Sequence, residues 1–184
     1  MSTGKPGPVF FLTGTPGSGK SSVARALLQR FPFGLHISVD DLRERVVSGI
    51  AHPVPTWTEE TSRQFRLARR AAAWEARLYA THGFAVTIDD VIGRDEVSKL
   101  KKEFLRGLLV HKVLLRPSLE TTLQRNATRT GKDFDTSVLD STIRHLYEST
   151  DPDEFAVAGW LVLDSGGMSL EETVEVILRH IANL

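Results

Sequence analysis

The sequence contains no cysteine. That excludes disulfides and thiolate metal sites. It has no apolar run near the ~20 residues needed to span a bilayer. It also has no net charge, since 23 Lys and Arg offset 23 Asp and Glu. A neutral chain has no general drive toward nucleic acid or membrane, and only local patches are left to do such work. Six histidines are scattered without metal-ligand spacing. Met1 to Pro8 lack the basic-then-apolar order of a secretory signal, so the expectation is a cytoplasmic protein. What is present, 41% apolar and 25% charged residues over 184 positions, suits a single domain over 1–184 with a sizeable core.

Apolar runs without alternation recur along the chain. Val9 to Thr13, Leu35 to Val39, Ala85 to Ile88, Leu108 to Leu115 and Trp160 to Leu163 read as buried strands. Helical patterns separate them at Lys20 to Arg30, Asp41 to Val47, Thr58 to Thr81, Arg94 to Arg106, Leu119 to Thr130 and Ser137 to Tyr147. A last helix follows a capping box from Ser169 to Glu172, with Leu170, Val174, Ile177, Leu178 and Ile181 as its inner face. In the long helix, Leu67, Ala71, Trp74 and Leu78 form the expected buried stripe, and Gly83 closes it. Strands alternating with helices predict an α/β fold, with a five-stranded parallel sheet covered on both faces as a three-layer sandwich.

Between the first strand and first helix lies Gly14-Thr15-Pro16-Gly17-Ser18-Gly19-Lys20-Ser21-Ser22. It fits G-x-x-x-x-G-K-[ST] in the strand–turn–helix context that a P-loop requires. Its glycines let successive backbone N–H groups curl around an anion, and the helix adds its positive dipole end. Lys20 is placed to reach the β- and γ-phosphates. The Ser21 hydroxyl is a ligand for Mg²⁺, a hard cation that favours oxygen. The nine residues Gly14 to Ser22 are therefore the expected nucleotide cradle. No guanine-reading N-K-x-D occurs, so ATP is the expected donor.

Two strands end in paired aspartates, Asp40-Asp41 and Asp89-Asp90. Strand carboxyl ends line one edge of an open parallel sheet, where ligands sit. Both pairs are thus expected beside the phosphates, one carboxylate orienting Mg²⁺ and another accepting the proton of an attacking hydroxyl, with Asp89 in a metal or acceptor-positioning role. Asp41 alternatively reads as the N-cap of the next helix. Arg125 and Arg129, four apart, share a helical face ahead of a polar loop. They read as an arginine-bearing lid over about 125–137 that grips donor phosphates and excludes water, or else as a solvated cationic face.

The stretches "GTPGSGKSS", "SVDDLRERV", "TIDD" and "QRNATRTGKDFDTSVL" together resemble the 5′-hydroxyl kinase domain of phage-type polynucleotide kinases. They are similar also to the related AAA-type ATPase phosphotransferases, including chloramphenicol phosphotransferase and zeta toxins. The resemblance spans nearly the whole chain. It implies a P-loop fold like that of nucleoside-monophosphate kinases, with ATP and Mg²⁺ as cofactors. It implies Asp40 as general base, Arg43 on the acceptor or its phosphate, and Asp89 holding the acceptor end. It also implies Arg125 and Arg129 on the donor phosphates, and "VLDSGG" beside the adenine.

The acceptor is expected under residues 41–83, beneath a mobile "GIAHPVPTW" loop whose Trp57 stacks on a ring or anchors the loop. Arg63, Arg66, Arg70 and Arg77 make one stripe, either a track for a phosphate backbone or a solvated face. Three readings follow: an ATP-dependent kinase of a small hydroxyl compound, a polynucleotide 5′-hydroxyl kinase binding single-stranded nucleic acid, or a regulatory NTPase without an acceptor.

Overall fold

The computed structural model describes residues 5–128 and 136–182. Strands β1 (Val9–Thr13), β2 (Gly34–Ser38), β3 (Ala85–Asp90), β4 (Val110–Leu115) and β5 (Leu161–Leu163) form one sheet in the order β2-β3-β1-β4-β5. Every pairing is parallel. Helices α1 (Lys20–Leu28), α2 (Val39–Glu44), α3 (Glu59–Ala80), α4 (Arg94–Phe104), α5 (Leu119–Ala127), α6 (Asp140–Ser149), α7 (Pro152–Val157) and α8 (Leu170–Ala182) connect and cover it.

Successive strand side chains point to opposite faces, so each strand feeds two cores. Val9, Phe11, Val86 and Ile88 pack on one side with Phe65, Ala72, Ala76, Val97 and Leu100 of α3 and α4. Phe10, Leu12, Ala85 and Val113 pack on the other with Val23, Leu27, Val174 and Ile177 of α1 and α8. This is the α/β/α sandwich that unalternated strands imply.

Four local expectations need correction. Asp41 does not cap α2; Ser38 does, its hydroxyl accepting from the Asp41 N–H, and the helix begins one residue after it. The inner face of α3 is not Leu67, Ala71, Trp74 and Leu78, all of which lie exposed. Phe65, Ala68, Ala72, Ala73, Ala76 and Ala80 are buried instead, because small side chains let the helix sit close on the sheet. Leu170, expected in the core, is largely exposed at the start of α8. Finally, α7 lies where no helix was expected, although Asp151 caps it and Pro152 opens it in the usual N-terminal manner.

The loop between α2 and α3 is also not loose. Arg43 donates to the Ala51 carbonyl at 3.1 Å, and Gln64 accepts from the Ala51 N–H at 2.9 Å while donating to the Gly49 carbonyl at 2.7 Å. Two buried side chains therefore fasten it to the helices on either side.

Candidate active site

The turn after β1 is shaped by three glycines in the positive-φ region: Gly14, Gly17 and Gly19. A Cβ at Gly17 would lie 2.5 Å from the Thr122 carbonyl, so no larger residue fits. A Cβ at Gly19 would meet nothing nearer than an Arg125 guanidinium nitrogen at 3.9 Å, so the inside of the turn is open with an arginine across it. Gly19 precedes α1, and no side chain caps that helix end. Its first N–H groups stay available for an anion, which is the arrangement a phosphate needs. Lys20 Nζ folds back on the Gly14 and Thr15 carbonyls at 2.9 and 3.0 Å. Ser18 Oγ is buried without a partner.

Register brings the acidic residues to this turn. β3 lies between β1 and β2, with Asp89 opposite Leu12 and Ser38, and Asp90 opposite Thr13. Thr13 Oγ1 bonds both the N–H and the carbonyl of Ile92 at 3.0 and 2.9 Å, locking the end of β1 to the segment beyond β3. As neighbours on a strand, the two aspartates face opposite sides of the sheet, so the expectation that both approach the phosphates needs correction. Only Asp89 faces the P-loop. It bonds Ser21, lies beside Lys20, and its Oδ2 is 2.7 Å from His36 Nε2. Burial pushes its carboxyl up. His36, Lys20 and Ser21 together outweigh that and hold it below the ordinary aspartate value.

Asp90 faces α3. Arg69 Nε donates to its Oδ2 at 2.6 Å, and the same guanidinium donates to the Val91 carbonyl at 3.0 Å. Burial raises the Asp90 carboxyl against the pull of Arg69, and the nearby Asp40 charge adds to the rise. Asp40 is exposed in the first turn of α2, close enough for its charge to reach Asp90. Arg43, by contrast, is buried. Its guanidinium lies 4.3 Å from the Phe65 ring centre and holds the loop carbonyl, leaving Nε without a partner. Trp57 stacks on the same Phe65, centroids 5.1 Å apart and 13° from parallel, and donates to Ser62 Oγ at 2.6 Å. Its outer surface is exposed.

Arg125, at the end of α5, donates to the Ser165 carbonyl at 3.2 Å. It lines a cavity of about 390 Å³ with Gly17 to Val23, Ser165, Met168, Leu170 and Thr173. That volume lies within the usual range for a small-molecule ligand. Ser165, in the "VLDSGG" stretch, is buried with its hydroxyl unpartnered. Arg129 lies outside the described residues. The residues present suit a nucleotide and Mg²⁺: uncapped amides and an ammonium for phosphate, one hydroxyl and one carboxylate for the cation. Among the described residues no cluster of three or more His, Asp or Glu could hold a metal unaided. Mg²⁺ characteristically takes few protein ligands and completes its shell with phosphate and water.

Sequence reading missed His36 and Arg69. His36 is a polar residue inside a buried strand, which asks for a partner on a neighbouring strand. Arg69 falls on the alanine-lined inner face of α3 rather than with the outer arginines, and a cation there requires a buried acid. No described helix is long and apolar enough to cross a membrane.

Known proteins agree with this architecture. The probable adenylyl-sulfate kinase of Aeropyrum pernix is 28% identical over 179 residues, covering 93% of this chain and 90% of that protein. Two solved structures share the fold. A sugar kinase from Janibacter sp. HTCC2649 has a TM-score of 0.65 at 21% identity, over 96% of this chain and 95% of the other. The Mycobacterium tuberculosis APS kinase CysC, in complex with AMPPNP and APS, has a TM-score of 0.65 at 20% identity, over 97% and 99%. At such identities they establish the fold alone. Residues 9–149 match the AAA domain family AAA_33, and the chain belongs to that family as a P-loop kinase-like domain.

Proposed function

We propose that this protein transfers the γ-phosphoryl group of ATP to a hydroxyl of a small-molecule acceptor. The observation that carries the reading is the division of labour at the ends of β2 and β3. Asp89 joins Ser21 and Lys20 on the P-loop side, while Asp90 faces Arg69 on the other and Asp40 stands exposed, near enough for its charge to raise the Asp90 carboxyl. Donor phosphates and an alcohol can thus approach one sheet edge from two sides.

The backbone of Gly14 to Ser22 and the Lys20 ammonium hold the triphosphate, and Arg125 and Arg129 grip it from the lid. Ser21 and Asp89 would hold Mg²⁺, which when bound offsets phosphate charge. Asp40 accepts the acceptor's hydroxyl proton as its oxygen bonds to the γ-phosphorus. The bond to the β–γ bridging oxygen breaks, and ADP leaves with that electron pair. Arg43 acts through the loop it fastens, and Trp57 offers a flat apolar surface on the acceptor side.

The named activities of the relatives, on adenylyl sulfate and on sugar, support a small acceptor. The arginine stripe on α3 gives little support to a polynucleotide acceptor, since three of its members are already engaged. Arg63 bonds Glu60, Arg70 bonds Glu103, and Arg77 bonds the Phe104 and Arg106 carbonyls.

The test is incubation with γ-labelled ATP and Mg²⁺ against a panel of polyols, sugars, hydroxy acids, nucleosides and 5′-hydroxyl oligonucleotides. Label on a small hydroxyl compound is the expected outcome. Label on oligonucleotide, or phosphate release alone, would overturn the acceptor assignment.

A further inference from the structure

Helix α3 is apolar on two opposite faces. Its alanine face is buried on the sheet. Half a turn away, Leu67, Trp74 and Leu78 are 53%, 61% and 58% exposed, with Ala71 between them. A helix apolar on both sides is expected to be covered on both sides. The spacing 67, 71, 74, 78 is the four-three-four seam of a heptad, about 16 Å long at 1.5 Å per residue. The two edges of the seam differ in charge. Arg63, Arg70 and Arg77 recur every seven residues along one edge. Glu75 stands on the other edge, and among the described residues it has no ion-pair or hydrogen-bond partner.

We propose that this seam is the interface of a homodimer, in which α3 packs parallel to α3 of a second copy about a two-fold axis along the helices. Charge selects both the occupant and the direction. Two antiparallel copies would lay arginine edge on arginine edge and leave each Glu75 on the other copy's glutamate edge, with no arginine to meet. Two parallel copies lay unlike edges together. Each Arg70 then falls five residues before the other copy's Glu75, the offset at which flanking heptad positions meet. Arg70 already touches Glu103 at 2.7 Å, but both side chains are about half exposed and the guanidinium has donors to spare. Ala71 allows close approach, and Trp74 is the kind of residue that dominates interface energies. The apolar surface continues past the helix end through Tyr79 and Phe84 to exposed Phe33, beyond the seam itself.

Light scattering coupled to size exclusion, over a wide concentration range, tests this on the full chain. Four proteins are compared: wild type, Trp74→Glu, Arg70→Glu, and the double variant Arg70→Glu with Glu75→Arg. Circular dichroism and retained ATP binding confirm that each is folded. Wild type is expected at the mass of two chains and both single variants at the mass of one. The charge-swapped double variant is expected to return to two. A wild type that stays at one chain, or a dimer that survives Trp74→Glu, overturns the interface. A dimer lost in Arg70→Glu and not regained in the double variant overturns the parallel arrangement.

Discussion

The proposed donor and acceptor sides of this protein meet at the carboxyl ends of β1, β2 and β3 and are built differently. The donor side is mostly backbone: three positive-φ glycines, an uncapped helix end and one lysine, all within nine consecutive residues. The acceptor side is assembled from distant side chains. Asp40 comes from α2, Arg69 and Phe65 from α3, Asp90 from β3, and Trp57 from the intervening loop. A backbone cradle accepts one chemical group, phosphate, and its positive-φ glycines leave little room for substitution. A side-chain surface can be rewritten residue by residue, so one fold can serve many acceptors.

The sharpest way to break the comparison is Lys20→Ala. Removing the ammonium should lower transfer roughly 10²–10³-fold, as loss of a charge-stabilising donor does. Label-transfer rates would show it, and near-wild-type activity would remove Lys20 from the donor side. Arg69→Met tests the other side. It leaves Asp90 buried without its cation and should cost about 3 kcal/mol of stability, read as a lower denaturant midpoint. Adding Asp90→Asn should recover part of that loss, since the two groups are coupled.

His36→Phe should act more mildly and on the donor side only. Without His36 Nε2, Asp89 loses one of the contacts that aim it at Ser21. The Mg²⁺ concentration needed for half-maximal nucleotide binding should rise about tenfold, the lower end of what metal-ligand supports contribute. An unchanged requirement would show that Asp89 does not serve the cation.

The smallest effect lies away from both sides. His111 stacks on Phe10 in the core, and burial, then the charges of His180 and Lys101, lower its pKa below 6.5. The unfolded chain therefore binds the extra proton first. The contribution to stability is complete above pH 6.5 and is lost as pH falls below that value toward the folded pKa. His111→Phe should flatten the decline in thermal midpoint between neutral and mildly acidic pH.

The same contrast explains how much could be read from the sequence. Gly14 to Ser21 carries its own geometry, because backbone conformation and spacing suffice, and the parallel sheet followed from unalternated strands. The proposed acceptor side was legible only in part. Asp40 stood out as a strand-end acid, but pairing Asp90 with Arg69 needed the register of β3 and the rotation of α3 on the sheet. That rotation was misjudged because Leu67, Trp74 and Leu78 outweigh alanines on any hydrophobicity scale. Close packing on the sheet favours the alanines.

The most direct measurement is Asp40→Asn, followed by ATP binding and by phosphoryl transfer to whichever hydroxyl compound the wild type labels. ATP affinity with Mg²⁺ is expected to stay unchanged while transfer falls about 10²-fold, the usual contribution of a general base. Weakened ATP binding with a normal transfer rate at saturation would contradict the account, because Asp40 would then belong to the donor side.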